Sequence, residues 1–451
     1  MYQTQTPNSN FLNMKIQNMI ITPVAITDPP LRNAAGLHAP YALRVIIELV
    51  TSDGISGLGE MPGGTDIVAD LEAVKHLIIG ADPFQLNAIQ HAIEAHFAAG
   101  DAAISKEAMR TTIATRREAQ ASRRSARTYS PIEVACYDLI GKAINKPVCD
   151  VLGGRMRERV PFSAYLFFKH AGAGGALGFG VDGAATGWAA ARQAEALTPD
   201  TLAQQAIAMC KAFGFKSIKL KAGALEPEIE VASMFALREA FGPNVPLRID
   251  PNAVWRVETA IKFGKQMEGI LEYYEDPVRG QANMAEVAKA VSIPLATNMC
   301  TTGFEDMPGS VRLGSEHIIL SDHHFWGGLR ASLELAAMCR TFGRGLSMHS
   351  NSHLGISLMA MAHLAAATPN LTYACDTHYP WQSEEVLVGG RIPIEDGCVT
   401  VTNAPGLGIE LDRAALAKLH AAYLACGLTK RDDEIEMQKV EPGWKFEAVR
   451  W

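Results

Sequence analysis

The chain has 451 residues, of which 48% are hydrophobic and 20% charged, and its formal net charge at pH 7 is −7. This composition is typical of soluble globular proteins, and the length fits two domains, or one barrel-sized domain with an appendage. The acidic balance lacks the basic surface that nucleic-acid binding requires. No uninterrupted apolar run is long enough to span a membrane. We therefore expect neither a nucleic-acid nor a membrane partner.

The cysteines and the first residues both indicate a cytoplasmic protein. There are 8 cysteines, and none forms a C-x-x-C pair. Thiols in this pattern are typical of buried, reduced side chains in a reducing compartment. The opening MYQTQTPNSNFLN lacks the basic and then apolar segments of a signal peptide.

The first part of the chain predicts an α+β domain over residues 1–150. Residues 14–60 alternate apolar and polar side chains and are interrupted by turn signals, which is typical of strands. Residues 66–146 show helical periodicity instead. A run of strands followed by a run of helices favours a separate unit. We interpret the basic stretch TRREAQASRRSAR (115–127) as a solvated helix face.

Residues 151–384 predict a (β/α)8-type barrel, a modified TIM barrel. Eight short apolar runs, each ending in polar residues, alternate with amphipathic stretches, which is the pattern of a parallel sheet covered by helices. The runs are VPFSAYLFF, FKSIKLKAG, VPLRIDPNA, LEYYEDP, IPLATNM, HIILSDHH, GLSMHSNS and LTYACDTH. The segment 385–451 returns to short strands, and we expect it to pack back on the N-terminal domain and complete it.

One polar residue recurs near the end of each barrel run from the second onwards, at nearly even spacing. These residues are Lys219, Asp250, Glu275, Asn298, Asp322, His349 and Asp376. The even spacing places them at the carboxyl ends of the strands, which is the face that carries the active site in such barrels.

Three consecutive members of this series predict a metal site. Asp250, Glu275 and Asn298 supply oxygen ligands from neighbouring strands. Oxygen ligands without nearby Cys or His suit a hard divalent cation, most simply Mg²⁺.

Two further pairs predict acid–base chemistry. Asp322 and His349 end the sixth and seventh strands, and a carboxylate beside an imidazole fixes its tautomer and raises its basicity. Lys219 and Lys221 are two residues apart on one strand, so both side chains point to the same face. A second ammonium group and desolvation both lower a lysine pKa, so this crowding indicates a lysine that acts as a base.

Together, a divalent metal, a lysine base and a His–Asp pair predict proton abstraction next to a carboxylate, followed by loss of water from the neighbouring carbon. Competing motifs are weaker. HSNSH (349–353) has the histidine spacing of a helical zinc pair but lacks the glutamate of H-E-x-x-H. The chain contains no P-loop and no G-x-G-x-x-G after a strand, so we expect no nucleotide cofactor.

These motifs resemble the enolase superfamily in its mandelate racemase-like branch, and within it the glucarate dehydratases. The resemblance covers nearly the whole chain. It is carried by the K-x-K of the second strand, D-P-N, E-D-P and ATNM of the next three, and FGRGLSMHSNSHLGISL, DTHYPWQ and PGLGIELD further on. It implies a Mg²⁺-dependent hydro-lyase that dehydrates an acid sugar, D-glucarate or a close aldarate, to a keto-deoxy acid.

The resemblance also implies individual roles. Lys221 would be the base on one side of the substrate and His349, with Asp322, the base on the other, while Lys219 would touch a substrate carboxylate. Asp250 and Asn298 would hold Mg²⁺. Residues expected to line the sugar-acid pocket are His38, Thr111 or Thr112, Tyr165, Asn252, His378 and Arg431.

The sequence departs from this pattern after E-D-P. The glucarate dehydratases carry a longer acidic segment there that supplies a metal ligand, whereas this chain has the short EDPVRGQANMAEV. Glu275 is then the leading second ligand and Asp276 the alternative. Other readings are a dehydratase of another hexarate or aldonate, such as galactarate, and a weakly active relative with a binding role. We also expect a homo-oligomer.

Overall fold

The strands predicted for residues 14–60 form an antiparallel sheet at the start of the protein, whose computed structural model describes residues 14–101 and 123–451. Its strand order is β1-β4-β5. Between β1 and β4 in the chain, the short strands β2 and β3 pair with each other in a small hairpin. The bounds are β1 Ile16–Thr27, β2 Arg32–Asn33, β3 Gly36–Leu37, β4 Tyr41–Thr51 and β5 Ser56–Pro62.

Helices cover this sheet, with α3 packed directly on β5. The bounds are α1 Thr65–Ile78, α2 Leu86–Asp101, α3 Arg124–Ala143 and α4 Val148–Val151. Helix α3 lies within the predicted helical stretch 66–146 and contains Pro131. Ion pairs fix its start, since Arg123, the residue before the helix, contacts Glu305, and Arg124 contacts Asp70.

Eight parallel strands form the barrel, one in each of the eight predicted runs. They are hydrogen-bonded in the order β12-β11-β10-β9-β8-β7-β6-β13, and the backbone N–H groups of Thr372 and Tyr373 donate to the carbonyl of Leu346 between β12 and β13. The bounds are β6 Arg159–Phe167, β7 Ile218–Lys221, β8 Leu247–Asp250, β9 Leu271–Glu275, β10 Leu295–Thr297, β11 Ile318–Ser321, β12 Gly345–Met348 and β13 Cys375–Thr377. The predicted fold class is therefore confirmed.

Helices alternate with these strands, as the amphipathic stretches predicted. Helix α6 shows the local cause: Thr198 forms a capping box with Thr201, Pro199 opens the helix and Gly214 ends it in the left-handed region. The bounds are α5 Gly187–Ala191, α6 Pro199–Phe213, α7 Pro227–Phe241, α8 Val257–Gln266, α9 Gln281–Ala290, α10 Met307–Leu313, α11 His323–Trp326, α12 Leu329–Thr341 and α13 Gly355–Ala367.

The C-terminal segment packs back on the N-terminal sheet. Strand β14 Cys398–Thr400 pairs with β6, and α14 Arg413–Cys426 lies on β1, where His420 Nδ1 is 2.7 Å from the carbonyl oxygen of Pro23. Helix α15 Asp433–Gln438 covers β3. None of the helices in the described ranges combines the length and apolar character needed to cross a bilayer. The boundaries at 150 and 384 stay predictions.

The contact between β5 and α3 depends on two glycines. A Cβ atom at Gly59 would overlap the carbonyl oxygen of Pro131, and one at Gly57 would overlap that of Ala135. The strand and the helix backbone therefore approach more closely than any side chain would allow.

Replacing Gly59 by alanine should lower the free energy of unfolding by about 1–3 kcal/mol, because the strand must move away from α3. Gly183→Ala is the control, since its Cβ would meet no described atom within 4 Å. The midpoint of thermal unfolding measures both variants. Equal midpoints for Gly59→Ala and the wild type would contradict the close-packing argument.

Candidate active site

Lys219 and Lys221 project from β7 to the same side, as their spacing predicted. Their Nζ atoms lie 3.8 Å and 2.5 Å from one oxygen of Asp250, the last residue of β8. The side chains of Lys219 and Asp250 are fully buried. Two buried lysine side chains therefore share one carboxylate at the carboxyl end of the barrel.

Lys219 is surrounded by carboxylates. Its Nζ is 2.5 Å from Glu275 and 2.6 Å from Asp376, and it stands 4.8 Å from the centre of the Tyr165 ring. Burial alone would lower the pKa of Lys219, but Asp376 and Glu275 outweigh it and hold that pKa well above its usual value. Lys219 is therefore the charged member of the lysine pair, and the assignment of a base to Lys221 stays a prediction.

Lys221 has a different environment. Its Nζ donates to Asp250 and to the side-chain oxygen of Asn252. Asn252 adopts a positive φ of 58°, which asparagine tolerates better than most residues, and its N–H donates to Asp250 at 2.9 Å. The turn after β8 thereby presents the Asn252 side chain to Lys221.

The predicted metal ligands converge. Asp250, Glu275 and Asp276 each offer an oxygen within 4.8 Å of the others. The Asn298 Nδ2 group donates to Glu275 at 3.0 Å, while the buried Asn298 Oδ1 has no hydrogen-bond partner among the described residues. Asp276 instead accepts from Thr297 Oγ1 at 2.5 Å and from the backbone of Asn298 at 2.8 Å. Glu275 thus faces Lys219 and Asn298, while Asp276 anchors the next strand.

Electrostatics indicates that this cluster fits a cation. Burial raises the pKa of Glu275 well above its usual value despite Lys219, and burial and the charge of Asp250 raise the pKa of Asp276 to about 7. The pKa of Asp250 is lowered, because Lys221 and Lys219 outweigh its burial. Buried oxygen donors and an orphaned amide oxygen match the donor set of a hard divalent ion.

His349 and Asp322 make the contact that their strand positions predicted, with Nδ1 2.8 Å from Asp322 Oδ2. The other oxygen, Asp322 Oδ1, lies 2.8 Å from His324 Nδ1, and His324 Nε2 lies 2.9 Å from Ser357 Oγ. Burial holds the pKa of His324 well below its usual value, so the ring is neutral and donates to Asp322. Asp322 is therefore fixed between two imidazoles.

This network reaches the N-terminal domain. Arg44 on β4 donates to Ser357 Oγ at 3.3 Å and to Glu60 on β5 at 2.7 Å. Glu60 also accepts from the backbone N–H groups of Leu354 and Ser357, each at 2.8 Å. The loop after His349 is therefore held by the N-terminal sheet.

One cavity is lined both by Asn298 and by the His349–Asp322 pair. Its lining consists of Arg123, Arg127, Asn298, Met299, Thr302, Leu320, Asp322, Phe325, Trp326 and His349. Lys221 and Asn252 are not part of this lining and pack against Asp250 instead.

The remaining predicted pocket residues fall into two groups. His38, Tyr165 and His378 form a chain of ring contacts, with Tyr165 4.9 Å and His38 6.3 Å from the His378 ring. Arg431 makes two hydrogen bonds to Asp433, at 2.5 and 2.6 Å. Thr111 and Thr112 lie outside the described residues. The roles of all these residues stay predictions.

Several contributors were missed from the sequence. Asp376 belonged to the evenly spaced series but was not assigned a role. Its position at the end of a barrel strand was the feature that could have identified it. His324, Arg44 and Glu60 were given no role, because the network that joins them to Asp322 forms only when β4, β5 and the barrel loops pack together. Arg127 was assigned to a solvated face and instead lines the cavity.

Comparison with known proteins agrees with this geometry. Residues 201–415 match the family model "Enolase C-terminal domain-like", and residues 16–153 match "Mandelate racemase / muconate lactonizing enzyme, N-terminal domain". The chain belongs to the enolase superfamily, and the protein is an enzyme of that superfamily.

Individual relatives are similar over nearly their full lengths. A Streptomyces coelicolor protein named "Probable glucarate dehydratase" is 42% identical, covering 97% of this chain and 99% of its own. An enolase structure from Pseudomonas fluorescens, with bound magnesium, potassium and tartrate, has 49% identity and a TM-score of 0.88, covering 97% and 100%. A Mycobacterium smegmatis enolase complexed with tartrate has 46% identity and a TM-score of 0.87, covering 99% and 100%.

The affinity of the site for Mg²⁺ should increase from about pH 6 to about pH 8, since protons compete with the metal for carboxylates. The reason is that the pKa of Asp276 is raised to about 7 and that of Glu275 is also raised. Calorimetric titration with MgCl₂ at several pH values measures this, with the exposed Glu72→Gln as control. An affinity that does not change over this range would contradict the pKa shifts.

Proposed function

We propose that the protein is a Mg²⁺-dependent acid-sugar dehydratase that acts on D-glucarate. The observation that carries this proposal is one cluster of oxygen ligands, Asp250, Glu275 and Asn298, in which Lys221 donates to Asp250 while the His349–Asp322 pair lines one cavity with Asn298. Abstraction of a proton next to a carboxylate and departure of a hydroxyl need these groups together. The relative named as a probable glucarate dehydratase supports the substrate.

The two lysines have different roles, since one binds the substrate carboxylate and the other removes the proton. Lys219 stays charged among Glu275 and Asp376 and attracts the substrate carboxylate. The neutral amine of Lys221 takes the proton from the carbon next to that carboxylate. Asp250, Glu275 and Asn298 would hold Mg²⁺, which when bound supplies positive charge to the carboxylate oxygens as they gain electron density.

His349 completes the elimination from the other side. Asp322 holds its Nδ1, so Nε2 is the nitrogen that exchanges protons with the substrate. In the imidazolium form, His349 donates a proton to the neighbouring hydroxyl as its C–O bond breaks, and water leaves. The electron pair of the broken C–H bond forms the new C=C bond, and the enol product tautomerises to a keto-deoxy acid.

A dicarboxylate substrate agrees with the tartrate present in two similar enolase structures. A cytoplasmic location and a homo-oligomeric state belong to this proposal as expectations. The proposal needs no nucleic-acid or membrane partner.

A panel of acid sugars tests the reaction. With Mg²⁺, we expect D-glucarate to give a keto-deoxy acid, detected by its semicarbazone absorbance, and dialysis against EDTA to abolish turnover until Mg²⁺ returns. Galactarate and D-gluconate test the alternative substrates. Absence of a keto-deoxy product from every aldarate would contradict the proposal, as would full activity after EDTA treatment.

Removal of either base should stop dehydration. Lys221→Ala and His349→Asn should each lower kcat by at least about 100-fold, because a positioned acid or base contributes a factor of about 10²–10⁴. Thermal unfolding should show that both variants fold, and Lys262→Ala, an exposed lysine on α8, is the control. Near-normal kcat in either base variant would show that the assignment is wrong.

A further inference from the structure

Two arginines of the N-terminal domain line the same cavity as the catalytic candidates. Arg123 immediately precedes α3, and Arg127 lies in its first turn. The barrel contributes Asn298, Asp322 and His349 to the same lining. The interpretation of this stretch as a solvated face is therefore wrong for these two residues. The N-terminal domain supplies positive charge to a cavity whose barrel side holds the acid–base pair.

The two arginines differ in their partners. Arg123 contacts Glu305 at 2.8 Å and Asp306 at 3.4 Å, so its charge is balanced. Within the described residues, the guanidinium of Arg127 makes no ion pair or hydrogen bond, and its buried Nε has no hydrogen-bond partner. Burial lowers the pKa of Arg127, although the more distant Asp66 and Asp70 oppose this. Asp70 is itself bound by Arg124.

The guanidinium of Arg127 therefore lies beside the reaction site without an ion-pair partner among the described residues. Burying a cation without a partner destabilises a folded protein, so such groups are normally paired. The cavity around Arg127 also has apolar walls formed by Leu320, Phe325 and Trp326. Low polarity around a guanidinium strengthens its attraction for an anion.

We propose that Arg127 binds the second carboxylate of a dicarboxylate substrate, the one remote from the metal cluster, and so selects aldarates over aldonates. This inference rests on the proposed dehydratase function and deepens it. The planar fork of arginine matches a carboxylate through two parallel hydrogen bonds.

Arg431, the arginine that the resemblance placed in the pocket, is less suited to this role. Its Nε and Nη2 groups are both directed at the carboxylate of Asp433. Binding a substrate carboxylate there would require this ion pair to be broken or shared. Arg127 needs no such rearrangement with respect to the described residues, none of whose carboxylates is ion-paired with its guanidinium.

Kinetics with a dicarboxylate and a monocarboxylate sugar acid tests the role. In Arg127→Gln, we expect KM for D-glucarate to rise at least about tenfold with kcat within about threefold, since uniform binding is lost. The value of kcat/KM for D-gluconate should not fall. Arg127→Lys should recover part of the loss, because the charge remains without the fork. Equal losses on both substrates, or no loss on D-glucarate, would overturn the inference.

Arg124→Gln is the matched control, since it removes the same charge from the same helix turn but from a side chain that contacts Asp70 and Phe97. Its kinetic constants should equal those of the wild type. The thermal midpoint of Arg127→Gln should stay unchanged or rise, because the variant removes a half-buried charge that has no ion-pair partner among the described residues. A lower midpoint together with equal losses on both acids would show a structural role instead.

Binding of inert acids separates this inference from the proposed reaction. Calorimetric titration of the Mg²⁺-loaded protein with adipate and hexanoate compares two six-carbon acids that cannot be dehydrated. We expect adipate to bind more tightly to the wild type and the difference to disappear in Arg127→Gln. If no acid sugar is turned over, the reaction is refuted while this comparison still decides the role of Arg127. Equal affinities of the wild type for both acids would overturn it.

Discussion

One buried ammonium group organises the catalytic end of the barrel. Lys219 Nζ lies between Glu275 and Asp376 with Asp250 next to them, and all four side chains are inaccessible to solvent. Burying a charge is costly unless opposite charges compensate it, so these strands must end in register with one another. Asp376 stands on β13 and Lys219 on β7, with β6 between them, so the ion pair also ties the two strands that flank β6.

The excess of carboxylates around that lysine explains why the site suits a divalent cation. Asp250 is shared with Lys221, and the pKa of Glu275 stays raised although Lys219 touches it. Once the raised-pKa carboxyl groups lose their protons, the carboxylates of the cluster outnumber its two lysines. Asn298 adds a neutral oxygen that lacks a partner within the described ranges. The same imbalance makes metal binding depend on pH.

The N-terminal domain contributes to the chemistry through contacts rather than through motifs. Glu60 holds the loop that follows His349, and Arg44 connects it through Ser357 to His324 and then to Asp322. The pKa of Glu60 is lowered because Arg44 and the backbone donors outweigh its burial. A charged pair in the N-terminal sheet thus fixes the orientation of a residue pair in the barrel.

The sequence by itself determined the eight barrel strands, the phase of their terminal polar residues and the proximity of Asp322 to His349, because strand periodicity and parallel connection are local properties. It could not assign the two lysines, since the charge of Lys219 depends on Asp376 from the far end of the chain. Nor could it separate Arg123, Arg124 and Arg127, which share one basic stretch and differ only in what lies opposite each side chain. Only the tertiary structure decided which of these arginines are paired with carboxylates and which line the cavity, because the partners come from other elements of the fold.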